Sequence, residues 1–169
     1  MTPDPSPNQP WPLPSLPPPR EGTVESATDR CRRYLRVHQL PAVIEAESQR
    51  IVFRVDWVGA ICMPAELGDQ VRDALGVMRG PVVVHPRANR YTFLTGPHHT
   101  RVEVDLDIFP RMFRVFAAVV PQGGTVVLPS PADEANGFRA WIDPPEGTFL
   151  PPQHVVINAV QTCARRWQP

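Results

Sequence analysis

Residues 50–78, RIVFRVDWVGAICMPAELGDQVRDALGVM, decide the fold class. From Ile51 onward the residues are β-branched and alternating, the pattern of a half-buried strand. Gly59 interrupts them, which predicts a strand that is long or bulged at that glycine. At Pro64 the period changes. Proline at the first helical position, Glu66 in the first turn, and Leu67, Val71, Ala74 and Leu75 at helical spacing predict an amphipathic helix over 64–78.

Upstream, residues 26–38 (SATDRCRRYLRVH) predict another helix, capped by Ser26 or Thr28, with Cys31, Tyr34 and Leu35 on one face. Pro41 bars its continuation. Residues 42–47 (AVIEAE) predict a strand that forms a hairpin with the run beginning at Arg50. Downstream, PVVVHP and RYTFLTGP predict two strands joined by a turn at 87–89. Residues 105–120 leave a short helix followed by a strand open against other readings. TVVLPS and FRAWI predict short strands on either side of a PADEANG loop. The final segment, PPQHVVINAVQTCARRW, predicts a helix with Val155, Val156, Ala159, Val160 and Cys163 on its buried face, and with Arg165 and Arg166 at the negative end of its dipole. No internal repeat is visible.

These elements predict one α+β domain over residues 23–169, built on a mostly antiparallel or mixed sheet with about three helices packed on it. Residues 1–22 are set apart by composition. Of the 23 prolines in the 169-residue chain, nine precede Arg20. Such density forbids helix and ladder hydrogen bonds, so a disordered, solvated polyproline II tail is expected. It serves as a spacer or as a docking segment with Trp11, Leu13 and Leu16 as anchors.

Charge narrows the function classes. The 17 basic residues balance 17 acids, and the signs are mixed along the chain. The clustered basic surface that drives non-specific nucleic-acid or membrane binding is therefore not indicated overall, although a local patch remains open. Every basic residue is arginine, so lysine nucleophiles, Schiff bases and phosphate-loop lysines are excluded. Cys31, Cys62 and Cys163 are far apart and odd in number, with no CxxC, and read as reduced core thiols rather than a disulfide framework or zinc site. Reduced thiols, no signal-peptide layout and no apolar run of membrane-spanning length predict a cytoplasmic protein with no membrane partner.

The candidate site residues fall in four groups. HPRANR places His85, Arg87 and Arg90 about a tight turn, where two arginines can hold phosphate oxygens. Ser130, Asp133 and Glu134 lie in a proline-edged segment that lacks the GxSxG elbow of a hydrolase. Asp105 and Asp107 stand two apart, and on a strand would share a face as two-metal sites require; Asp56 is a third acid. The alternative for that pair is a helix cap. The adjacent histidines His98 and His99 read as solvated loop residues.

Three phrases carry a resemblance: FRVDWVGAICMPAELGDQVRDAL, GPVVVHPRANRYTFLTGP and GGTVVLPSPADEANGFRAWIDPPE. In this order the chain, over roughly 51–147, resembles the N-terminal domain of actinobacterial bifunctional DNA primase/polymerases, a branch of the archaeo-eukaryotic primase superfamily. In that family one strand carries paired acids, a second an Arg-His signature, and a third phrase closes the core. Here Asp56 stands where the acid pair would begin, but Val58 occupies its second place. Arg90 fits the arginine, with Tyr91 in the histidine's place, and Ser130 and Trp141 fit the third phrase. The family's cysteines are missing.

The resemblance therefore implies a non-catalytic domain, without cofactor, that binds a nucleotide or single-stranded nucleic-acid end or regulates a replication or transcription protein. His85, Arg87, Arg90 and Ser130 would line its site. A second expectation is an interaction module that docks a protein partner through residues 1–22. A third is an active nucleotidyltransferase using Mg²⁺ or Mn²⁺ on Asp56, Asp105 and Asp107.

Overall fold

A computed structural model describes residues 25–97 and 107–166. The proline-rich stretch over 1–22, Asp105, and His98 with His99 lie outside the described residues. The described residues form a single α+β domain in which helices α1 (Ala27–Arg36), α2 (Ala65–Leu75), α3 (Ile108–Arg114), α4 (Pro131–Ala135) and α5 (Gln153–Ala164) surround two sheets.

The first sheet has three strands in the order β1-β2-β7, with β1 at Val43–Ile44, β2 at Ile51–Arg54 and β7 at Thr125–Leu128. The second has five in the order β6-β3-β5-β4-β8: β3 (Gly59–Pro64), β4 (Val82–His85), β5 (Arg90–Thr95), β6 (Ala118–Val119) and β8 (Ala140–Asp143). Every pairing is antiparallel. β3 and β4 both run antiparallel to the β5 between them, so α2 is a crossover linking two parallel strands.

Two sheets replace the one expected from the pattern. The run from Arg50 to Met63 is two strands of different sheets, not one strand, long or bulged at Gly59. β2 ends at Arg54, and the next ladder-like bonds, Val55 N to Gly124 O and Gly123 N to Val55 O, tie the chain to the turn before β7. The chain bends through 55–58 and re-enters as β3. Gly59 stands where the space is already filled, since a Cβ there would fall 2.6 Å from Thr95 Oγ1 and 2.7 Å from Gln153 Nε2.

Helix ends follow local chemistry. Ser26 caps α1 by accepting from Asp29 N at 3.1 Å, while Arg33 and Arg36 fill its last turn. Pro64 is the last residue of β3 and the N-cap of α2, one place earlier than the sequence reading put it. Gly76, at φ 52°, closes α2 in a conformation costly for other residues. The PADEANG segment is a helix rather than a loop, because Ser130 and Asp133 form a reciprocal capping box at its start.

Pleating divides the five-stranded sheet into two unlike faces. Ile61, Met63, Val82, Tyr91 and Phe93 point to one side, where α2, α3 and α5 bury them with Leu67, Val71, Met112, Val156, Ile157 and Val160. Ala60, Leu94 and Trp141 point to the other, beneath α1 and the small sheet, packing with Tyr34, Leu40, Ile51, Phe53, Val126 and Leu128. The domain has five helices rather than about three: α2, α3 and α5 cover one face, while α1 and α4 lie on the opposite side. The expected apolar faces shift slightly. Leu35 and Ala74 are exposed, whereas Ile157 is buried.

The second core contains a satisfied polar link. Tyr34 Oη donates to Pro129 O and accepts from Trp141 Nε1, both at 2.7 Å, and the two rings meet edge to face at 5.8 Å. Burial raises the Tyr34 hydroxyl above its ordinary pKa. Outside it, Arg30 reaches Glu134 through two nitrogens and Glu25 through Nε, tying α1 to α4.

Candidate functional site

On the face turned from α2, α3 and α5, the sheet is apolar only at one end. Register places Cys62 opposite Thr92 and Arg90 opposite His85, and all four side chains share that face. With Ala88, Val120, Arg139 and residues 125–127 of β7 they line a groove of about 340 Å³. The small sheet forms one wall and the five-stranded sheet the floor.

The floor is hydrogen-bonded across strands. His85 Nε2 lies 2.9 Å from Thr92 Oγ1, which in turn lies 3.2 Å from Cys62 Sγ. A hydroxyl donates once and accepts freely, so it can accept from the thiol while donating to a neutral imidazole. His85 is held neutral to lower pH than an ordinary histidine, first by burial and then by the charges of Arg139 and Arg90.

Two guanidinium groups complete the groove. Arg90 Nη2 donates to Phe116 O at 2.7 Å, which anchors it across the bend after α3. Arg139 Nη1 donates to Asp133 Oδ1 at 2.9 Å, while its Nε is buried with no hydrogen-bond partner. No carboxylate is among the lining residues. Arg90, together with the unpaired Nε of Arg139, whose Nη1 is held by Asp133, offers donors that match an anionic acceptor.

The sequence-derived set separates into two parts. His85 and Arg90 come together in the groove. Arg87 does not join them: its guanidinium stacks on Phe138 at 3.9 Å and its Nη2 donates to Asn136 O at 3.1 Å. A short 3₁₀ turn over Pro86–Ala88 swings it toward the end of α4. Ser130 is buried as the cap of α4, its Oγ held by Asp133 at 2.8 Å, and it is not among the groove-lining residues. Tyr91 faces the helices and donates to Asp69 Oδ1 at 3.0 Å, so adjacent Arg90 and Tyr91 serve opposite faces of one strand.

Cys62, Thr92 and Arg139 were missed. Cys62 is partly exposed on the groove floor rather than a core thiol like Cys31 and Cys163. Its place was legible only once β3 and β5 are registered, because alternation alone does not say which face stays open. Of the acids, Asp56 lies between β2 and β3 and accepts from Gln122 Nε2 at 3.3 Å, and Asp107 is the N-cap residue of α3. Among the described residues, no three or more His, Cys, Asp or Glu are grouped to hold a metal ion. Nor is any described helix long and apolar enough to cross a membrane. Comparison with known proteins finds no matching family model, no similar curated protein and no matching solved structure.

Proposed function

We propose that the groove between the two sheets binds an anionic ligand of the nucleotide class, a free nucleotide or a nucleic-acid end, without turning it over. The observation that carries this reading is that Arg90 and Arg139 share one groove and that the Arg139 Nε is buried and unpartnered while its Nη1 is held by Asp133. Guanidinium groups present planar donors suited to phosphate oxygens. Val120, Val126 and Val127 supply an apolar wall against which a base can lie. The resemblance to primase/polymerase N-terminal domains supports the same ligand class, and Val58 in the second acid position supports a non-catalytic role. His85 and Arg90 belong to the site, Arg139 joins them, and Ser130 and Arg87 support it from outside.

Calorimetric titration with ATP, deoxynucleotides and short single-stranded DNA, each with and without Mn²⁺, tests the reading. Metal-independent binding that weakens steeply with salt and is lost in Arg90→Gln and Arg139→Gln is expected. Unchanged affinity in both variants overturns it, and a strict metal requirement points instead to an active enzyme.

The reading as a protein-interaction module is favoured by a different observation. Phe109, Phe113 and Phe116 stand exposed along α3 and the bend after it, Phe113 at 76%. Three large aromatic side chains exposed within eight residues offer apolar surface of the kind that partners cover. Absence of heat with every nucleotide and with DNA favours this second role.

A further inference from the structure

We infer that the cleft between the last turns of α3 and α5 binds a small amphiphilic oxyanion, a carboxylate or phosphate head carried on a short apolar body. The cleft lies on the helix side of the five-stranded sheet and shares no lining residue with the groove, so the inference does not depend on a nucleotide binding there.

Two independent observations meet in this cleft. The first is charge. Arg111 and Arg114 in the last turn of α3 and Arg165 at the C-cap of α5 line it, and no lining residue is acidic. Among the described residues none of these three guanidinium groups has an ion-pair or hydrogen-bond partner, whereas Arg30, Arg72 and Arg139 are each held by a carboxylate. Two helix C-termini end here, each equivalent to about half a negative charge. Three full positive charges outweigh them, and the cleft attracts anions.

The second observation is a donor without an acceptor. Gln161 lines the same cleft, and its Nε2 is buried with no hydrogen-bond partner. Native proteins rarely leave a buried N–H unpaired, because the lost solvation is costly. The terminal amide torsion of glutamine is broad, so Nε2 turns toward an oxyanion seated in the cleft at little strain. Guanidinium groups supply the remaining donors in a planar fork that suits carboxylate and phosphate alike.

The floor selects the body of the ligand. Met112, Val115, Val160 and Ala164 make it apolar, and the cleft holds about 200 Å³. Such a space is smaller than the pockets that take drug-sized ligands, and an alkyl body of about six carbons fills it at ordinary packing density.

Calorimetric titration of the full-length chain with hexanoate, hexyl phosphate, hexylamine, hexanol and inorganic phosphate separates head from body. Hexanoate or hexyl phosphate is expected to bind at least about tenfold more tightly than any of the other three, and the tighter of the two identifies the head. Replacing both Arg111 and Arg114 by glutamine should weaken that binding about tenfold or more. Ala164→Leu, at a partly buried position on the floor, should abolish it by filling the cleft. Gln161→Leu should weaken binding while leaving the Tm unchanged or higher, because the unpaired donor leaves with the side chain. Hexanol binding as tightly as hexanoate and hexyl phosphate overturns the inference, as does inorganic phosphate matching hexyl phosphate, or full affinity in the double arginine variant. The order of the five probes on the wild-type chain decides even if a variant does not fold. Arg90→Gln should leave all five affinities unchanged, so loss of the hexyl ligands with ATP binding intact sinks this inference alone.

Discussion

The two faces of the five-stranded sheet are made by the same strands and differ in nearly everything else. On the helix side, Ile61, Met63, Tyr91 and Phe93 are closed over by three helices. On the other side, the interleaved residues Cys62, Arg90 and Thr92 floor an open groove, while Ala60 and Leu94 disappear beneath the small sheet. Alternation lets one strand carry a closed core surface and an open groove surface at successive residues. The groove exists because the small sheet is too short to cover the whole of the second face.

The largest effect expected from this contrast is at adjacent residues of β5. Phe93→Ala removes a fully buried ring from the helix side and is expected to cost about 3–5 kcal/mol in urea unfolding. Thr92→Val, on the groove side, is expected to cost only about 1–2 kcal/mol, its links to His85 and Cys62 exchanged for a methyl group. Equal costs would break the comparison.

Next in size is Tyr34→Phe, in the core beneath the small sheet. It strands the Pro129 carbonyl and the Trp141 indole N–H, and a loss of about 1–3 kcal/mol is expected by thermal or urea unfolding. A loss near zero would mean that water replaces the hydroxyl and that this half of the second face is wetter than its packing indicates.

Smaller still is Ser130→Ala, expected to cost about 1 kcal/mol through the loss of the α4 cap. Its effect on anion binding should be slight. A large fall in ligand affinity at unchanged stability would return Ser130 to the site.

The smallest effect concerns His85. Its native pKa lies below the unfolded value, so the unfolded chain binds more protons in the interval between them. The stability linked to this residue is therefore complete above the ordinary histidine pKa, about 6.5, and declines as pH falls from there toward the depressed native value. His85→Gln should flatten that part of the stability–pH curve, and an unchanged slope would show that the ring is better solvated than its surroundings imply.

The sequence and structure agree where local chemistry dominates. Ser26 marks the start of α1, Pro64 the switch from strand to helix, and the turn of HPRANR holds Asn89 in a left-handed conformation that asparagine tolerates. They part where tertiary pairing decides. Nothing in Arg50–Met63 says that Ile51–Arg54 pairs with Thr125–Leu128 while Gly59–Pro64 pairs with Arg90–Thr95. Arg87 and Arg90 look equivalent in a hairpin turn, and only the 3₁₀ geometry sends one to Phe138 and the other to the groove. Arg139 seemed an ordinary strand residue because its relation to β4 depends on a pairing between distant segments.

The pairing of Val52 with Val127 also has a consequence for how the protein is made. A ribosome delivers β2 long before β7. Until Leu128 has emerged, Ile51, Val52 and Phe53 have only the two residues of β1 beside them, and a two-stranded hairpin is marginal in water. The nascent chain must therefore carry an open apolar ladder from Arg54 until Leu128 is made, the condition under which strand edges meet the wrong neighbour. The wall of the groove arrives with that same late strand. A chain stopped before β7 would thus lack a wall of the groove and leave β2 unpaired along one edge at once, which makes the order of synthesis a hazard built into this topology.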